Sequence, residues 1–170
     1  MVLSSRAPVE STIVRASWFS QNFSENFLLE DVLSGEVALP VNGVREPFVD
    51  VDDVADVAVA ALTESGHDGR LYELTGPLLL TFADAVAEIA DAARRDITFR
   101  EVGMEQYSAA LAEQGVPADV AWLVTYLFAE VLDGRNDSLA DGVQRALGRP
   151  ARDFREYARA TAAGGIWSPA

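Results

Sequence analysis

The 170-residue sequence has no cysteine and no lysine, one histidine, and no glycine before Gly35. Without cysteine there is no disulfide framework and no thiol chemistry. Without lysine, Schiff-base catalysis is closed, and so is any Tyr-x-x-x-Lys pair, in which the ammonium lowers the tyrosine pKa. The thirteen basic residues are all arginine, and twenty-seven acids outweigh them to a net charge of −14. That balance argues against nucleic acid, because binding a phosphate backbone depends on clustered cations that release counterions. No apolar run is long enough to span a bilayer. Met1-Val2-Leu3 is followed by polar Ser4-Ser5-Arg6 rather than by a signal-peptide core, so a cytoplasmic location is expected. A dinucleotide site needs a glycine-rich strand-to-helix turn through which backbone amides approach the pyrophosphate, and no G-x-G-x-x-G spacing occurs.

The length and a 49% hydrophobic content fit one folded domain with a real core. The chain is organised around Pro47 to Thr63, PFVDVDDVADVAVAALT. Phe48-Val49, with Val51 just beyond, reads as a short buried strand. Val54, Val57, Ala58, Ala61 and Leu62 recur at helical spacing and predict one apolar stripe against a sheet. Asp52 is the expected N-cap, with Asp53 and Asp56 in the first turn, where carboxylates are stabilised by free amides and the helix dipole. An EF-hand starting at Asp50 would need glycine at its sixth position and glutamate at its twelfth. Ala55 and Ala61 stand there, so capping is preferred to a metal site.

Thr12 to Arg15 reads as a strand, followed by the aromatic turn Ala16-Ser17-Trp18-Phe19-Ser20-Gln21-Asn22-Phe23. Turns beyond a strand's carboxyl end are where open α/β sheets bind ligands, although Trp18, Phe19 and Phe23 can equally be core aromatics. A helix is expected over 24–34, with Phe27, Leu28 and Val32 inward and Gly35 ending it. Val37–Leu39 and Leu71–Leu74 read as strands and Asn42-Gly43 as a turn. His67, in a glycine-flanked loop, reads as a solvated residue after a helix rather than as part of a catalytic triad. Thr81 and Asp84 form a capping-box-like start to a helix that buries Phe82, Ala85, Val86, Ile89, Ala90 and Ala93. Ile97 to Val102 alternates as a half-buried strand. From Met104 onward the pattern is helical. Its longest stripe is Val120, Leu123, Val124, Leu127, Phe128, Val131 and Leu132, ended by Gly134, with Trp122 and Tyr126 beside it as expected cover for a neighbouring helix. Ser138 with Asp141, and Asp153 with Glu156, are the expected caps of the last two helices.

The Pro47–Thr63 stretch resembles the F-x-D-x-x-D-x-A-x-x-A segment of the NmrA-like family, atypical short-chain dehydrogenases/reductases that bind NAD(P). Thr12–Phe23, Tyr72–Pro77 and Leu147–Arg159 resemble further family segments in the same order. Together they match the C-terminal half of a longer family member.

This resemblance implies an α/β fold: residues 1–76 as the remnant of a doubly wound Rossmann-type parallel sheet, and residues 77–170 as a mainly helical substrate-cap region of the same single domain. It implies that Ala16, Ser17, Trp18 and Phe19 border the nicotinamide of NADP or NAD, and that Trp18, Phe19 and Asn22 line a small-molecule substrate pocket. The family commonly has proline at the position of Ala16, so this turn is expected to be less rigid. An oxidoreductase-type protein without its dinucleotide cradle, not catalytic alone, is the first expectation. A non-enzymatic NAD(P)-sensing, regulatory or protein-interaction module is the alternative. The five residues 6–10 are too few for a parallel crossover between 2–5 and 12–15, so the N-terminal segment is expected to be displaced. Ile13 and Val14 would then lie near an uncovered sheet edge, which predicts self-association or a partner protein.

Overall fold

The computed structural model describes residues 11–41 and 43–168. The expected displacement of the segment 1–10 and the Asn42 half of the expected turn lie outside the described residues. The elements run β1 (Ile13–Ala16), a 3₁₀ turn (Ser20–Phe23), α1 (Leu29–Ser34), β2 (Glu36–Leu39), β3 (Arg45–Glu46), α2 (Val51–Thr63), β4 (Leu71–Leu74), β5 (Leu80–Thr81), α3 (Phe82–Ala93) and β6 (Thr98–Glu101). Then follow α4 (Met104–Glu113), α5 (Ala118–Tyr126), a π-helical turn (Leu127–Val131), α6 (Gly142–Leu147) and α7 (Phe154–Ala163). Among the described residues the strands form three two-stranded sheets, parallel β1–β4 and β2–β6 and antiparallel β3–β5.

The organising stretch departs from expectation at its start. The expected strand Phe48-Val49 reduces to a single parallel bridge, Phe19 to Val49, with β3 lying just before it at Arg45–Glu46, while Val51 already belongs to α2. Asp50, not Asp52, is the N-cap. Its backbone is extended, its carboxylate accepts from the Asp52 amide at 3.0 Å, and Gln21 Oε1 takes the Val51 amide at 3.0 Å. An amide left free by the helix start is thus satisfied from the turn after β1. The buried face of α2 is Asp53, Val57 and Ala60; Leu62 is 86% exposed. Asp53 can face inward because Arg149 and Arg152 meet its carboxylate, so the apolar stripe is narrower than the spacing predicts. Among the described residues no group of three or more His, Cys, Asp or Glu side chains could hold a metal ion.

The expected helix over 24–34 is only α1. Asn26 bonds its own neighbourhood, its Oδ1 accepting from the Phe27 amide at 2.9 Å, and such local bonds compete with helix formation. Leu28 and Val32 are buried as expected, whereas Phe27 stays partly exposed. Gly35 ends α1 in the left-handed conformation. The Thr81–Asp84 capping box is complete, with both reciprocal bonds present. Asp153 caps α7 through the Arg155 amide, whereas Asp141 makes no side-chain cap bond at α6.

The core is an aromatic cluster. Phe48 meets Phe82 edge-on at 5.1 Å between ring centroids, and Phe23 packs edge-on against both Phe48 and Phe154. Phe23 is therefore one of the core aromatics. Val49, Val57, Tyr72, Leu74 and Val143 form a second cluster between α2, β4 and α6. His67 is buried rather than solvated: its Nδ1 lies 2.9 Å from the Tyr72 hydroxyl, and its carbonyl accepts from Thr12. The tyrosine gives the ring a polar partner, which removes the penalty that would have kept it in water.

Candidate functional site

β1 and β4 run parallel, so both end at the same side of the sheet, and a cleft of about 750 Å³ opens there. Its floor is the turn after β1. The Ser17 amide donates to Leu74 at 3.0 Å, the Val49 amide to Trp18 at 2.8 Å, and the Ser20 amide to Val49 at 2.9 Å. These bonds continue the backbone pairing beyond β1 and fix the turn from Ser17 to Ser20. Ala16, Ser17, Trp18, Phe19 and Asn22 all line this one cleft.

The roof was not legible in the sequence as a roof. Val120, Leu123 and Val124 of α5, with Leu127 and Val131 of the π turn, face the cleft, whereas Phe128 and Leu132 of the same stripe are buried in the core. The π turn causes the split. The Leu132 amide reaches back to Leu127 at 3.0 Å, an i to i+5 bond that rotates the helix relative to a 3.6-residue period. Trp18 joins floor to roof, stacked on Phe128 with centroids 6.0 Å apart and edge-on to Phe82 at 5.9 Å. It is a core aromatic and a cleft residue at once. Trp122 and Tyr126 do not line the cleft; they stack on each other at 5.6 Å and stay 66% and 47% exposed. Neither acts as cover for a neighbouring helix.

The polar lining is Ser17, Asn22, Asn26, Thr75, Asn136 and Ser138, with Arg15, Glu73 and Arg135. Asn22 Oδ1 and Asn26 Nδ2 are 3.5 Å apart on one wall, and Thr75 exchanges hydrogen bonds with the backbone of Ala140 on the other. Both arginines at the rim are already paired, Arg15 with Glu73 at 2.7 Å and Arg135 with Asp133 at 2.6 Å. No glycine lines the cleft among the described residues. Among the described residues the cleft therefore offers an apolar wall and an aromatic face, but no unpaired arginine and no glycine at its lining.

Behind the floor lies a group that periodicity and motif reading passed over. Glu46, the inward residue of β3, is fully buried. Its Oε2 accepts from Ser17 Oγ at 3.5 Å, and its Oε1 has no partner among the described residues. Burial, with the like charge of Asp137 adding to it, pushes this carboxyl up to about 7.

Parallel strand pairs, covering helices and a cleft beyond the strand ends define a Rossmann-type fragment with a helical region. Solved structures share this fold. The triphenylmethane reductase of Citrobacter sp. complexed with NADP(H) superposes with a TM-score of 0.77 at 20% identity, over 91% of this chain and 54% of that one. NmrA, a negative transcriptional regulator in complex with NADP, superposes at 0.62 and 19% identity, over 95% and 55%. In sequence, the NAD(P)H azoreductase of Xenophilus azovorans is 32% identical over 154 residues, 89% of this chain and 53% of the relative. No protein-family profile matches the chain. In fold and over the matched half in sequence, the chain resembles NmrA-like, NAD(P)-binding atypical short-chain dehydrogenases/reductases. It spans about half the length of the curated relatives it matches.

Proposed function

We propose that the cleft is the small-molecule pocket of an NAD(P)H-dependent reductase-type protein, with Ala16 to Phe19 bordering the nicotinamide and Trp18, Phe19 and Asn22 contacting the substrate. The observation that carries this reading is the meeting, in one cleft, of the turn after β1 and the apolar face of α5 with its π turn. Reduced nicotinamide, when bound, supplies a hydride. The chain's own residues do the rest: Trp18 offers a flat wall against which a planar ring stacks, and Leu123, Val124, Leu127 and Val131 exclude water above it, which strengthens every polar contact below. The pyrophosphate is held by sequence outside this chain.

Nicotinamide fluorescence tests the reading. The chain alone is expected to show no saturable binding of NADH or NADPH at micromolar concentration. A fusion carrying the part of the azoreductase that this chain does not match is expected to bind NADPH, and Trp18→Ala in that fusion to bind it at least tenfold more weakly. Unchanged affinity in Trp18→Ala would sink the assignment of the floor.

A regulatory or interaction role is the second reading, favoured by the description of NmrA as a transcriptional regulator. A fusion that binds NADPH but oxidises it with neither quinones nor azo dyes would support it. In either case Ile13, 59% exposed on β1, suits an edge covered by a second copy or a partner protein. Light scattering across a concentration series, with Ile13→Lys as comparison, is expected to show self-association that the substitution weakens.

A further inference from the structure

Among the described residues two carboxylates are completely buried, Asp53 and Glu46, and they are treated in opposite ways. Asp53 is met by two arginines and a backbone amide. Glu46 is met by no cation among the described residues. Successive residues of β3 point to opposite sides, so Arg45 turns outward to bind Asp137 Oδ2 at 2.7 Å while Glu46 turns inward behind the cleft floor. Asp137 Oδ1 is buried and unpartnered as well among the described residues. Residues Asn136 and Ser138, on either side of Asp137, line the cleft, as does Ser17. An uncompensated acid at this place raises the energy of the floor, whereas glutamine or leucine would fill the same volume without an orphaned charge.

We propose that Glu46 and Ser17 form a proton relay in the cleft wall, Glu46 storing a proton on its buried carboxyl and Ser17 passing it to a ligand in the cleft. The store stands on the geometry alone; the delivery rests on the reductase reading above. Reduced nicotinamide, if bound, would supply a hydride to an unsaturated ligand; the electron pair that this leaves on the ligand's neighbouring oxygen or nitrogen would take the Ser17 hydroxyl proton. The Glu46 Oε2–H bond then breaks, its proton restores the serine hydroxyl, and the carboxylate left behind is reprotonated from water through the emptied cleft. Ser17 is the candidate catalytic residue, and Glu46 acts through it. The charged group acting on Glu46 is Asp137, which disfavours the carboxylate and so holds the proton in place; Arg45, on the other side of β3, is paired with Asp137.

Infrared difference spectroscopy on the chain alone, without cofactor, tests this. A protonated-carboxyl C=O band is expected that disappears as pH rises from 5 to 9, shifts in D₂O, and is absent in Glu46→Gln. In Ser17→Ala the band is expected to remain but move in frequency, because its hydrogen-bond partner is gone. A band lost in Glu46→Gln yet unmoved in Ser17→Ala would overturn the relay, and no such band in the wild type would overturn the store. Should Glu46→Gln not fold, Asp137→Asn replaces it: the band's midpoint is expected to fall to lower pH, and an unmoved midpoint would overturn the assignment to Glu46. Because no nicotinamide is present, these outcomes are independent of whether the cleft proves to be a reductase pocket.

Discussion

Asp53 Oδ1 is shared between Arg149 at 2.8 Å and Arg152 at 2.7 Å, while its Oδ2 accepts from the Arg152 amide at 2.7 Å. This one buried carboxylate ties α2 to the segment between α6 and α7. One turn along, Asp56 bonds the same two arginines from a half-exposed position. The burial difference decides the energetics. Asp53→Ala leaves two guanidinium groups without their buried partner and is expected to cost about 3–5 kcal/mol. Asp56→Ala is expected to cost under about 1 kcal/mol. Urea denaturation of the two variants checks this; equal midpoints would show that Asp53 is not what holds the segment between α6 and α7 to α2.

Val57 and Leu62 belong to one apolar stripe by spacing but not in space. Val57 is fully buried, and placing an unpaired carboxylate there by Val57→Asp is expected to cost several kcal/mol, of order 3 or more. Leu62→Asp, at a surface position, is expected to change stability by about 0.5 kcal/mol or less. Thermal melts of both variants are the measurement, and a large loss in Leu62→Asp would refute the register of α2.

Gly142 opens α6 directly against β4. A Cβ there would lie 2.1 Å from the Glu73 carbonyl oxygen and 2.9 Å from Leu74 Cδ2. Backbone cannot give way as a flexible side chain can, so Gly142→Ala is expected to push α6 off the sheet and cost about 1–3 kcal/mol. Gly103→Ala, where a Cβ meets nothing within 4 Å, is the control and is expected to stay within about 1 kcal/mol. A melting temperature of Gly142→Ala equal to that of the control would mean that the close approach is not there.

What could be read in the sequence was local. The Thr81–Asp84 capping box is spelled by four consecutive residues and needs nothing distant, and the position of Ala16 to Phe19 past a strand end follows from topology. Asp53 was legible only as a helix-dipole acid, because its partners lie 96 and 99 residues away. His67 differs: its partner Tyr72 is only five residues on, but a glycine-flanked loop gives no pattern that would mark the histidine as buried against that hydroxyl. The roof of the cleft was hidden differently. A stripe from Val120 to Leu132 has the same period whether it faces a core or a cavity, and the π turn that divides it leaves no mark in that period. Glu46 carried no signal beyond being an acid beside a proline, and only its burial makes it conspicuous.

Burial of Glu46 makes the folding stability depend on pH. In the unfolded chain this carboxyl titrates at the ordinary glutamate value of 4.5, and in the folded protein at about 7. Between those values the folded state holds the proton that the unfolded state has already released, so folding stability falls as pH rises through the window. Below about pH 4.5 both states are protonated and the group contributes nothing; above about pH 7 the full penalty is present, on the order of 3 kcal/mol. Glu46→Gln has no proton to lose. It is expected to match the wild type near pH 4.5, to become progressively more stable than it toward pH 7, and to hold a constant advantage above. Urea midpoints of the two proteins at pH 5, 6, 7 and 8 read this directly as a widening gap. Parallel curves would mean that the carboxyl ionises at its ordinary value and that water or a cation reaches it.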